Sequence, residues 1–265
     1  MDVLRRNNVG LSGPPGAPAI VFAHGFGCDQ GMWRLVAPHF EKDHRVVLFD
    51  HVGAGRSDSS AFDRRRHAEL SGYATDVVEL LDALDLGPAV FVGHSVSAMI
   101  GVLAAIERPD LFDRLVLVGP SPRYIDDAGY AGAFTQTEID ELLETMDDNY
   151  LGWSGLIAPV IMGTPGRPDL GEELRSSFCR TDPEIARHFA RTTFLSDNRA
   201  DLPRLRTPAL VVQCRDDVIA PVEVGTYVAD QLPDAELVVL DATGHCPNLS
   251  APDQLLAAMN AYLGA

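Results

Sequence analysis

Short apolar runs recur along the chain between turn residues, at positions 19–23, 45–49, 89–92, 114–118, 209–213 and 236–240. Their apolarity is continuous rather than alternating, which predicts strands buried on both faces. Segments of helical spacing separate several of them, at 73–84, 96–107, 222–231 after Pro221, and 254–263 after Pro252. Proline at a first helical turn fits the last two starts, because an N–H there has no partner within the helix. Strands alternating with helices predict an α/β fold with a mostly parallel central sheet and helices on both faces. The alternation breaks between Pro122 and about Arg199. No β-branched run occurs there, while 138–150 and 183–194 have helical composition. The expected organisation is a core in two pieces, 1–121 and 201–265, with a helical cap at 122–200. The stretch 12–18, rich in Gly and Pro, reads as a turn-rich lead into the first core strand.

Composition narrows the function classes. With 265 residues, 46% of them hydrophobic and 22% charged, the chain can bury one full core and still carry the cap. A net charge of −17 opposes unaided binding to nucleic acid or to an anionic membrane, since either needs a basic face. Cys28, Cys179, Cys214 and Cys246 are scattered without a C-x-x-C spacing, as expected of reduced thiols in a cytoplasmic protein. Basic residues near Met1 lack an apolar run behind them, and no stretch approaches a membrane span. No histidine and carboxylate cluster has ligand spacing, so neither a metal nor another cofactor is expected.

The chemistry begins at Gly93-His94-Ser95-Val96-Ser97, between the run at 89–92 and the helix at 96–107. A serine placed where a buried strand turns sharply into a helix has the geometry of a nucleophile elbow. The usual pattern is G-x-S-x-G. Ser97 stands in the last position and is small enough for the turn to survive with closer contacts. A serine hydroxyl needs a histidine base, and the histidine needs a carboxylate to fix its tautomer. Asp217 follows the run at 209–213, and His245 follows the run at 236–240. In an open sheet both loops lie at the carboxyl edge beside Ser95. Asp216 adjoins Asp217, and only one of the two can face the site. The small residues of His24-Gly25-Phe26-Gly27 let a backbone N–H approach, which assigns the oxyanion donors to the amides of Phe26 and Val96.

The remaining histidines read as structural. His39, His44, His67 and His188 lie on helices or on approaches to strands. His94 is expected to point away from the pocket and bond to backbone. His51, in the turn-rich loop Asp50-His51-Val52-Gly53-Ala54-Gly55-Arg56-Ser57, lies at the correct edge to approach the site but is also read as structural. That loop lacks G-x-x-x-x-G-K-[ST] and is read as a turn rather than a phosphate cradle.

The chain resembles an α/β-hydrolase. Within that superfamily it is similar to the small group containing the bacterial stress-response regulator RsbQ and the plant karrikin and strigolactone receptors. The resemblance rests on His24-Gly25-Phe26-Gly27-Cys28-Asp29-Gln30 with Trp33, on the loop from Phe49 to Asp58, and on Gly93 to Gly101. Gly119 to Tyr124, Asn149 to Trp153, Phe178 to Pro183 and Gly244 to Pro247 extend it through core and cap. It implies a cap of four helices over a deep apolar pocket lined by Phe26, Tyr124, Phe134, Leu142, Trp153, Ile157, Phe194, Val218 and Ile219, with Phe178, Phe189 and Tyr150 evenly balanced between pocket and core. The family's acid-to-proline spacing, measured back from Pro221, selects Asp217 over Asp216. The expected activity is cofactor-independent hydrolysis of a small apolar ester or lactone through an acyl-enzyme, with carbon–carbon hydrolysis of a diketone as a variant on the same triad. The alternative is a ligand-sensing receptor with slow hydrolysis. Its output would be a protein contact made by the cap, for which the acidic run Glu138, Asp140, Glu141, Glu144, Asp147 and Asp148 offers a surface, although a solvated helix face is the simpler account of it.

Overall fold

Every residue of Ala19–Ala23 and Ala89–His94 is buried, so these apolar runs become the central strands of a sheet covered on both faces. The computed structural model describes residues 2–264. The chain runs through α1 (Val3–Arg6), β1 (Gly10–Ser12), β2 (Ala19–Ala23), β3 (Arg45–Phe49), α2 (Leu70–Leu84), β4 (Ala89–His94), α3 (Val96–Glu107) and β5 (Phe112–Val118). Four helices follow without an intervening strand: α4 (Gln136–Asp148), α5 (Tyr150–Met162), α6 (Pro168–Arg180) and α7 (Pro183–Phe194). The core resumes with β6 (Ala209–Asp216), α8 (Val222–Gln231), β7 (Ala235–Thr243), α9 (Pro247–Ser250) and α10 (Pro252–Leu263). No described helix is long and apolar enough to cross a membrane.

The sheet order is β1-β3-β2-β4-β5-β6-β7, with β1 antiparallel to β3 and every other pair parallel. Successive strand residues serve opposite faces. Ile20, Phe22, Val90 and Val92 pack with Trp33, α10 and the cap, whereas Val21, Ala23 and Phe91 pack with α2 and α3.

Four departures from the sequence pattern have physical causes. β1 is only three residues long and bonds to a single neighbour, too short to register as an apolar run. β7 reads as apolar as the central strands, yet Leu237, Val238 and Val239 are half-buried or exposed, because β7 is the last strand of the sheet and has β6 on one side only. α4 stops at Asp148, and the Asn149 side chain accepts from Gly152 N at 3.0 Å to open α5, so the expected helix at 138–150 spans the end of one helix and the start of the next. α5 is apolar nearly all round and contains Pro159, so it has no amphipathic period to read.

The cap is fastened to the core through α7. Phe189 stacks on Tyr73 of α2 with ring centroids 4.4 Å apart. The His67 carbonyl accepts from His188 Nε2 at 3.0 Å and from Thr192 Oγ1 at 3.0 Å. His67 is itself held by Asp76, 2.9 Å from its Nε2. Because Thr192 is buried and satisfied, Thr192→Val should lower the unfolding free energy by about 1–2 kcal/mol. A denaturant midpoint equal to wild type would show that this fastening contributes nothing.

Candidate active site

β4 delivers Ser95 into a backbone conformation of φ 57° and ψ −124°, and α3 starts at the next residue. Positive φ at a non-glycine residue is strained by roughly 1–3 kcal/mol and persists only where surroundings enforce it. Here the Ser95 amide donates to Val118 O of β5 at 2.8 Å. At Gly93 a Cβ would come within 2.4 Å of the Ser97 carbonyl oxygen, so the turn needs glycine there. Ser97 does more than fit: its buried hydroxyl donates to the His24 carbonyl and lies 2.7 Å from His51 Nε2. With the serine proton committed to His24, His51 Nε2 must be the donor to Ser97. Burial, with His24 beside it, holds His51 well below the usual histidine range. His51 therefore serves the loop framework, away from the site.

Ser95 Oγ lies 2.7 Å from His245 Nε2, and His245 Nδ1 lies 2.7 Å from Asp217 Oδ2. All three residues are buried. Asp217 is turned inward by its own loop, its Oδ1 accepting from Ile219 N at 2.8 Å and Ala220 N at 3.1 Å. Burial opposes its charge, but His245 and these two amides outweigh it and hold the carboxyl below the usual carboxylate range. Asp216 ends β6 with an exposed side chain, so of the adjacent pair only Asp217 reaches His245. The His245 amide donates to Ile161 O of the cap at 2.8 Å, and its carbonyl accepts from His94 Nε2 at 2.7 Å. The amides of Phe26 and Val96 donate to no acceptor among the described residues, and Val96 opens α3, where a helix leaves N–H groups free.

The serine opens on an apolar cavity of about 40 Å³. Of the expected lining, Phe26, Tyr124, Leu142, Trp153, Ile157, Phe194 and Ile219 border it. Tyr124 brings its hydroxyl to Ser95, and burial pushes the phenol up to about 12. Phe134 does not border the cavity; its backbone bridges to Tyr124 and Ile125, and its ring packs against the core beside it. Val218 is 55% exposed, because the turn that points Asp217 and Ile219 inward points the residue between them outward. His94 bonds to backbone as expected, yet its ring borders the cavity instead of facing away. Phe178 and Phe189 stand behind the wall against Phe26, each with its ring centroid 5.7 Å from that ring. Tyr150 likewise stays behind it, donating to Phe178 O at 2.9 Å. Cys28, Ile161, Leu174, Thr193 and Cys246 also border the cavity, beyond the expected lining. Ile161, Thr193 and Cys246 adjoin a chosen residue in sequence or by a helical turn, and Cys28 stands two residues from Phe26; Leu174 lies on α6, which gave no signal. Burial pushes Cys28 up to about 12 and Cys246 well above the usual thiol range, so both line the cavity as neutral thiols.

Residues 20–258 match the model of the Alpha/beta hydrolase family. The chain is 40% identical over 251 residues to Karrikin insensitive 2 receptor CA of Petunia hybrida, covering 94% of this chain and 93% of that one. It is 39% identical over 255 residues to Strigolactone esterase D14 of Arabidopsis thaliana, covering 96% and 95%. Among solved structures, a hydrolase from Oleispira antarctica has a TM-score of 0.96 at 40% identity, covering 99% of this chain and 96% of that one.

Burial, reinforced by the neighbouring His245, pushes His94 down to about 3. Between that value and about 6.5 the unfolded histidine binds a proton that the folded one does not, so stability rises with pH across this window. Stability from this group is full above pH ~6.5 and is lost as pH falls toward 3. In His94→Gln, whose amide can replace the donor to the His245 carbonyl, the slope of unfolding free energy between pH 6.5 and 4 should be shallower than wild type by up to about 1.4 kcal/mol per pH unit. Equal slopes in denaturant titrations would contradict it.

Proposed function

The chain belongs to the Alpha/beta hydrolase family, and from that premise we propose that it is a cofactor-independent serine hydrolase cleaving a small, largely apolar ester or lactone. The observation that carries this reading is the hydrogen-bonded chain from Ser95 through His245 to Asp217, opening on an apolar cavity. Asp217 accepts from His245 Nδ1–H, which leaves the Nε2 lone pair facing the Ser95 hydroxyl. As Ser95 Oγ attacks the carbonyl, His245 takes its proton, and the carbonyl π electrons move onto oxygen. The Phe26 and Val96 amides receive that oxyanion. Collapse expels the alcohol or opens the lactone ring, with the leaving oxygen taking the proton from His245. Water, deprotonated by the same histidine, then attacks the acyl carbonyl, and as the acid leaves His245 returns that proton to Ser95 Oγ.

The small cavity suits a compact acyl or lactone group. Its lining has no lysine, arginine, aspartate or glutamate, which favours an uncharged substrate because a buried unpaired charge is costly. Similarity to the karrikin receptor and the exposed acidic face of α4 favour a second reading, in which hydrolysis is slow and the cap contacts a protein partner. Turnover separates them: sustained cycling on a lactone supports metabolism, and near-single turnover with a ligand-induced shift in Tm supports sensing.

On p-nitrophenyl esters, Ser95→Ala and His245→Ala should each lose on the order of 10⁴ to 10⁶ in rate, with the double variant little worse. Asp217→Asn should lose roughly 10⁴ in kcat through the wrong histidine tautomer. Asp216→Asn should stay within about tenfold, since an exposed carboxylate exerts only a screened field. Steady-state kinetics on equally folded variants check the ranking. The reverse order for the two aspartates would move the acid role to Asp216.

A further inference from the structure

One polar group in the cavity wall is idle in the proposed reaction. Thr193, near the end of α7, is 1% exposed and borders the cavity, and its Oγ1 has no hydrogen-bond partner among the described residues. A helical threonine commonly returns its hydroxyl to the carbonyl four residues back. Thr192 does so, donating to His188 O at 3.1 Å as well as to His67 O at 3.0 Å. Thr193 makes no equivalent bond to Phe189. Buried hydroxyls are nearly always paired, because leaving one unpaired forfeits its hydration with no return. The other unpartnered side-chain atom of the wall is His94 Nδ1. It lies against Gly25, where a Cβ would come within 2.6 Å, and is confined to the turn beneath the serine. Among the described residues Thr193 thus brings the one unpartnered hydroxyl of the wall to a cavity lined mainly by apolar side chains.

We propose that Thr193 is a substrate-recognition residue whose hydroxyl donates a hydrogen bond to a second oxygen of the substrate, remote from the scissile carbonyl. The preferred substrates are then uncharged esters or lactones that also carry a second acceptor oxygen, such as an ether or a further carbonyl. This deepens the hydrolase reading and rests on it. A pocket with a buried polar group of this kind discriminates against the analogue lacking the matching oxygen, because that analogue strands the hydroxyl without a partner.

The test compares p-nitrophenyl pentanoate with its two oxa analogues, the ethoxyacetate and the 3-methoxypropanoate, in which one methylene is replaced by oxygen. Intrinsic differences between the esters cancel when the ratio of kcat/KM, oxa ester over pentanoate, is compared between wild type and variant. Thr193→Val, equal in shape, should lower that ratio at least fivefold for one or both oxa esters, mainly through KM. Thr193→Ser should restore it to within about twofold of wild type. Thr193→Val should also keep a denaturant midpoint no lower than wild type, unlike a variant losing a structural hydrogen bond. Dissociation constants of the same esters on Ser95→Ala and Ser95→Ala/Thr193→Val protein read the same ratio without turnover. Absence of hydrolysis in wild type would sink the hydrolase reading alone. A change below fivefold for both oxa esters in the binding comparison, or a lowered midpoint in Thr193→Val, would overturn the assignment of Thr193.

Discussion

The site depends on one strained residue. Ser95 holds φ at 57°, a conformation that a serine adopts only when its surroundings leave no alternative. The surroundings are the parallel sheet, which fixes the end of β4 against β5, and the tight approach of Gly93 to the Ser97 carbonyl. Ser97 adds a buried tie from this turn to the His24 carbonyl and to His51. Each tie joins the elbow to a different edge loop, so the sheet edge behaves as one packed unit in which the serine oxygen is presented to the cavity at a fixed height.

The cap is more than a roof. His245 is held from below by His94 and from above by Ile161 of α5, and Gly244 lets that helix come close, since a Cβ there would lie 1.9 Å from the Met162 carbonyl oxygen. The helix that borders the cavity also positions the proposed base. A group bound in the cavity would therefore touch the same helix that holds the His245 backbone.

Much of this was legible in the sequence, for reasons that differ residue by residue. The buried strands announced themselves because β2 and β4 are covered on both faces and are apolar throughout. The same rule over-read β7, since an edge strand can be as apolar as a central one while lacking a neighbour. Ser95, Asp217 and His245 could be expected to meet because parallel strands send their following loops to one edge, so order along the chain becomes proximity in space. Pocket lining was harder. Val218 and Ile219 are adjacent and both apolar, and only the turn around Asp217 decides which faces inward. Phe134 failed for a related reason, its direction being set by backbone contacts with Tyr124. Thr193 gave no signal beyond its place beside Phe194, because the role proposed for it lies in a hydrogen bond it does not make within the chain.

The proposed chemistry requires Ser95 to be a nucleophile activated by its environment and not merely a serine buried beside a histidine. Intact-protein mass spectrometry after treatment with a fluorophosphonate, followed by peptide mapping, tests it most directly. A single covalent adduct on the peptide carrying Ser95, located at that residue by fragmentation, is expected. An adduct on Ser97 or another residue, or an unmodified protein after prolonged exposure, would contradict it.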